Sequence, residues 1–229
     1  ISKTARVTED GSLKSIIDYQ LPTDRLFGIK DLGAASDNMW MHCVCYLTEN
    51  LRSIDYHQTE GISYTDQEWI CRPMAIARHI AYYPHIVYRY LDGREGQTVD
   101  PSVWDKNFWQ EIQGTRVLIE EHSKPHTLIT PEGFDYIRQR IQNRVRTLYN
   151  AYLTLFDSHS NNERMKEFDL YLKAYDHELY RKQDDLTILK SLHYVRHWRK
   201  DYNPDTLYLR LVHFLSNYIR KKKERNLKI

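Results

Sequence analysis

Three cysteines in 229 residues, Cys43, Cys45 and Cys71, are too few and odd in number for a disulfide scaffold. They fit a reducing compartment, cytosol or nucleus. Only 8 glycines leave few of the tight backbone sites that cradle nucleotides. No apolar run approaches the roughly 20 residues of a membrane span, and no secretory signal is visible. The sequence has no Gly-rich dinucleotide loop, no phosphate-binding loop, no zinc-protease His-Glu pair at helical spacing and no nucleophile elbow. The absences point away from an enzyme and from a membrane protein.

What is present is a globular composition. Hydrophobic residues make up 41% and charged residues 28%, and the length allows a core without disulfides. Tyrosine is frequent, at 18, and its half-apolar, half-polar ring suits interfaces as well as cores. The net charge of +2 hides a split. Residues 1–114 hold 11 Lys and Arg against 16 Asp and Glu; residues 115–229 hold 22 against 15. The basic half could attract acidic partners.

The apolar periodicity predicts an all-α chain, an antiparallel helical bundle organised around one long helix, Thr130 to Phe156. Phe134, Ile137, Ile141, Val145, Leu148, Tyr152 and Leu155 recur in steps of three and four and form one stripe. Thr130, Pro131 and Glu132 mark its start as cap, first-turn proline and dipole partner. Residues 1–35 read as an N-terminal arm with a short helix at Ser12–Tyr19, and 36–219 as one helical domain. Residues 220–229 read as a basic tail.

Within that domain a helix is predicted from Ser36 or Asp37 to about Tyr56. Another follows a capping box at Thr65 and Glu68. Tyr82–Tyr90 has strand propensity but helical neighbours and is read as helix. Leu91–Thr98, with Gly93 and Gly96, reads as a loop, and Asp100-Pro101 as a helix start. Gly114 should end that piece. Ser158–Asn162 reads as a polar turn, followed by helices near Met165–Leu179, Leu186–Trp198 and Leu207–Tyr218.

The candidate sites are of three kinds. Thiolate and imidazole are zinc ligands, so His42, Cys45 and His57 form a candidate half-site for zinc, completed by a partner. Cys43 and Cys45 point about 200° apart on the predicted helix, which prevents them from sharing one metal. His193 and His197, and the group Glu120, Glu121, His122 and His126, read as surface residues without a paired nucleophile. A basic patch comprises Arg138, Arg140, Arg144 and Arg146 with Arg220, Lys221, Lys222, Lys223, Glu224, Arg225 and Lys228, suited to phosphates or to nuclear import. Surplus aromatics, Trp40, Trp69, Trp104 and Trp109 with Tyr82, Tyr83, Tyr88 and Tyr90, could line a peptide groove. Leu26, Phe27, Ile29 and Leu32 give the arm something to dock with.

The arm at Leu21–Gly33, the Cys/His-bearing first helix at His42–His57 and the long central helix resemble the helical bridging subunit of fission-yeast-type shelterin. That resemblance implies a telomere-repeat-factor-homology-like fold, a nuclear location, no enzymatic activity and binding of peptides from two other shelterin subunits. The residues by themselves favour a non-enzymatic adaptor that binds peptide segments of partner proteins, with homodimerisation also open. A nucleic-acid-binding protein, viral or chromatin-associated, is the alternative.

Overall fold

Within the expected N-terminal arm, Ser2–Val7 forms a strand, β1, at the centre of a sheet. Asp10 and Gly11 turn the chain. The Asp10 carboxylate accepts from the Ser12 amide at 3.0 Å and from the Thr8 hydroxyl at 2.5 Å. Gly11 supplies the positive φ of 82° that other residues avoid. Leu13–Ile17 therefore returns as strand β2, antiparallel to β1 with Thr4 opposite Ile17, and not as the predicted short helix.

The computed structural model describes residues 1–93, 97, 100–157 and 159–226, with 101, 102 and 224–226 as backbone. Gly96 and Thr98 of the expected loop, Ser158 and Lys228 lie outside the described residues. Helix occupies 54% and strand 12%, so the all-α expectation is wrong: the fold mixes helices with a three-stranded and a two-stranded sheet. The chain divides into two units, Ile1–Asp100 with Gln113–Ile141, and Pro101–Ile112 with the described residues from Gln142 on.

The first unit holds β1, β2, helix α1 (Thr48–Ser53), helix α2 (Asp66–Ala75) and strand β3 (Tyr83–Leu91). The helix predicted from Ser36 to Tyr56 does not form. In its place are 3-10 turns at Ile29–Ser36 and Met41–Cys43 and the short α1. Cys43, at the end of the second turn, and Val44, extended after it, are both buried. The capping box is also absent. Glu68 turns inward, and the Thr65 hydroxyl accepts from Gln58 at 2.7 Å. Tyr83–Leu91, predicted helical, is a strand parallel to β1, with Thr4 opposite Tyr88 and Val7 opposite Leu91. The sheet order is β2-β1-β3, which makes β3 an edge.

The second unit starts with helix α3 (Pro101–Lys106) and the first part of helix α4 (Phe108–Val117). Gly114 does not stop α4, which runs on into a π turn at Leu118–His122; both belong from Gln113 to the first unit. The long helix α5 (Pro131–Asn150) starts where predicted, with the Thr130 hydroxyl accepting from the Gly133 amide at 3.2 Å. It ends in a π turn, Ala151–Leu155. Ile137, Ile141, Val145, Leu148 and Tyr152 are buried, as the stripe requires.

Beyond it come α6 (Asn162–Tyr175) and α7 (His177–Lys182), separated where Asp176 caps α7 by accepting from the Leu179 amide at 2.8 Å. The helix predicted from Leu186 to Trp198 is instead a small hairpin, β4 (Thr187–Ile188) and β5 (Leu192–His193), followed by α8 (Tyr194–Trp198). Leu189 and Lys190 at φ 51° and 61° make the turn that breaks the helix. Helix α9 (Leu207–Asn226) closes the described chain and takes in most of the supposed tail. Asp169, fully buried, is the polar centre of this unit. Its Oδ1 accepts from Arg199 at 2.7 Å and from Tyr149, and its Oδ2 from Tyr202 at 3.0 Å.

Candidate peptide-binding edge

Strand β3 is anchored on one side only. Its first amide, from Tyr83, donates to the Ile1 carbonyl at 2.8 Å, and β1 pairs with it along its length. Among the described residues no strand pairs with its other side. Nearby, Asp18 ties the sheet together. It accepts from Lys3 at 2.5 Å and from the Tyr82 hydroxyl at 2.6 Å, and those bonds hold its carboxyl down at about 2. The strand is exposed almost throughout: Tyr83 at 61%, Val87 at 63%, Ile86 at 44% and Tyr88 at 41%. It carries His85 and Arg89 and no acid.

An aromatic cluster adjoins the second half of the strand. His42 stacks on Tyr88 at 4.5 Å between centroids, and Trp40 meets Tyr90 edge-on at 5.3 Å. Trp40, His42 and Tyr90, with Met39, Met41 and Ile70, line a cavity of about 400 Å³ whose polar side is Asp66 and Gln67. The Met41–Cys43 turn is set by Tyr19, whose hydroxyl accepts from the Trp40 amide at 3.0 Å and from the Cys43 thiol at 3.2 Å. Burial pushes the Cys43 thiol up, so it serves as a packed donor and not as a thiolate.

The sequence-predicted residues divide. Trp40 and Tyr83 belong to this surface, whereas Tyr82, Phe27 and Leu32 are core. Leu26 is exposed and Ile29 partly so, on the segment whose Phe27 bridges to Ile80. Trp69 is held by Tyr46 and Tyr56 and donates to the Val44 carbonyl. In the second unit, Trp104 donates to Glu111 at 2.9 Å and packs on Phe156, and Arg164 lies over Trp109. Tyr88 and Tyr90, expected among the groove aromatics, belong to this surface, and His42, expected as a zinc ligand, joins them. The β-branched Ile86-Val87 pair beside the tyrosines is the strand signal in the sequence.

The zinc candidates are not gathered. His42 is committed to Tyr88, Cys45 is exposed, and His57 is exposed with its Nε2 3.1 Å from Asp55. Among the described residues no three His, Cys, Asp or Glu side chains group as a metal site. His193 contacts the Asp184 carbonyl, and His197 stacks on Tyr208. The basic patch is also divided. Arg138 and Arg146 are exposed, but Arg140 is buried and donates to the Ser36 and Asp37 carbonyls at 2.6 and 3.2 Å and to Gln67. Arg144 is paired with Glu111.

One acid–base pair is buried in the first unit. The π turn brings His122 to 3.6 Å from Glu68, whose carboxylate accepts from the Thr59 amide at 2.8 Å. Burial raises the Glu68 carboxyl, but the bonds from His122 and Thr59 outweigh it and the net is a lowered value. With Tyr56, Arg72 and Glu121 the pair lines a cavity of about 450 Å³. The Tyr56 hydroxyl, Glu68 Oε1 and His122 Nδ1 there have no protein partner. The lining also includes Thr59, Lys124 and Asp55 and holds neither serine nor cysteine. His126 accepts from the Leu128 amide, Glu120 pairs with Arg116, and Glu121 with Lys124.

Comparison of the chain with protein-family models, with curated proteins and with solved structures gives no match.

Proposed function

We propose that this chain is a non-enzymatic interaction module that binds an extended peptide segment of a partner protein along β3. The observation that carries this reading is the nine-residue edge strand with Tyr83, Ile86, Val87 and Tyr88 exposed. Long apolar edges invite pairing with another chain, and proteins normally blunt them with charge, proline or bulges; β3 has Pro84 and Arg89 yet keeps Ile86, Val87 and Tyr88 exposed. Adding a strand gives main-chain hydrogen bonds for affinity and neighbouring pockets for specificity. Here the Trp40–Tyr90 cavity, of about 400 Å³ and part apolar, is the neighbouring pocket. His85 and Arg89 favour a segment with acidic residues interspersed.

The nucleic-acid reading has less support, because Arg140 and Arg144 are turned to internal partners. The telomeric setting rests on the sequence resemblance alone.

Selection from a displayed library of random peptides at high salt, with nuclease present, tests the proposal. Enriched peptides should alternate apolar residues with others and should lose affinity for Val87→Asp, with the circular dichroism spectrum unchanged. Enriched peptides that bind Val87→Asp as tightly as the native chain would overturn it. So would retention of nucleic acid in place of any peptide.

A further inference from the structure

Helix α9 is apolar on two sides. Leu209 and Val212 are buried within the second unit, at 2% and 0% exposure. On the other side Leu207, Leu211, Phe214 and Tyr218 stand at 85%, 48%, 66% and 60%. Their spacing of four, three and four is the a/d pattern by which one helix packs along another. A single core needs one such stripe, and the inner one already serves it. The outer stripe has no partner among the described residues.

Charge decides what kind of partner fits. From Leu207 to Lys223 the helix holds Arg210, Arg220, Lys221, Lys222 and Lys223 and no acid. A parallel second copy would bring the Arg220–Lys223 cluster against itself, which costs energy, and an antiparallel copy would offer that cluster only Asp201 and Asp205, before the start of the helix. An acidic occupant gains from the same residues. Helices that lie on membranes use a broad apolar face, whereas this stripe is the narrow two-in-seven seam of a coiled coil. We infer that the outer face of α9 is a docking surface for an amphipathic helix of a partner protein, with apolar residues at a and d and acidic residues flanking them. This surface is independent of β3, and a chain with both has two places to hold partners.

A synthetic four-heptad peptide with Leu at a and d and Glu at e and g is the probe, and its Lys-for-Glu counterpart is the control. Binding is read by fluorescence anisotropy on the full chain across a salt series. The acidic peptide should bind, the basic one should not, and affinity should fall as salt rises. Leu211→Ser with Phe214→Ser should weaken binding by about tenfold or more. Those side chains are largely exposed, so the fold should be retained, as thermal unfolding would check. Lys221→Glu with Lys222→Glu should reduce the affinity and its salt dependence.

Equal binding of both peptides, or no loss in the stripe variant, would overturn the inference. Binding to vesicles of anionic phospholipid without binding to the acidic peptide would assign the face to membranes instead. A stripe-dependent dimer that excludes the peptide would assign it to a second copy.

Discussion

His42 lies flat against Tyr88, with 4.5 Å between ring centroids and 8° between ring planes, so a side chain before α1 fixes a tyrosine on the edge strand. His42 also lines the Trp40–Tyr90 cavity. Replacing His42 by Ala should cost about 1 kcal/mol of stability, the scale of one aromatic pair. It should weaken peptide binding more than it weakens the fold. Chemical denaturation and peptide titration on the same variant measure the two effects.

The Glu68 carboxyl is held below its usual value in the folded chain. A group lowered by folding contributes stability above its unfolded value and loses that contribution as pH falls through the folded one. The melting temperature should therefore drop as pH falls below the ordinary carboxylate range. Glu68→Gln should flatten that part of the profile and cost about 1–3 kcal/mol at neutral pH, where the Thr59 amide and His122 lose a charged acceptor. A profile unchanged by the substitution would contradict the pairing.

Gly133 shows how contact overrides propensity. Gly to Ala in an exposed helix interior stabilises by about 1 kcal/mol. A Cβ at 133, however, would stand 2.3 Å from the Ala75 carbonyl oxygen and 3.1 Å from Ile129 Cγ2. The backbone atom cannot step aside, so Gly133→Ala should destabilise by about 1–3 kcal/mol. Denaturant unfolding gives the sign directly.

The arginines of α5 should separate into two classes. Arg140→Met removes the donors to Ser36, Asp37 and Gln67 and should cost about 2 kcal/mol or more. Arg138→Ala with Arg146→Ala, at exposed positions, should change stability by about 0.5 kcal/mol or less. Urea unfolding of the three proteins checks the order.

The parts legible in the sequence are those decided locally. Thr130, Pro131 and the stripe through Val145 and Leu148 define α5 because cap, proline and period agree within one segment. The Asp10-Gly11 turn between Ser2–Val7 and Leu13–Ile17 is a hairpin signal, but Leu13, Ile16 and Ile17 suit a helix face equally well. The parallel pairing of β1 with β3 joins Thr4 to Tyr88 and has no local signature. Without it, Ile86, Val87 and Tyr88 are decided by their helical neighbours.

The same limit applied to the candidate sites. Glu68 fitted a capping box at sequence spacing, but its actual partner, His122, is supplied by a π turn far along the chain. The stripe Leu207, Leu211, Phe214 and Tyr218 was visible as a period. A period shows that a face is apolar but not that anything covers it, and here the face is exposed.

Amide hydrogen exchange of the full chain, with and without a library-selected peptide, tests the central claim most directly. An added strand pairs with the free backbone groups of β3, so the account predicts slowed exchange within Tyr83–Leu91 and around Trp40–Cys43, with little change in α6. Peptide-induced protection that leaves Tyr83–Leu91 unaltered would contradict it.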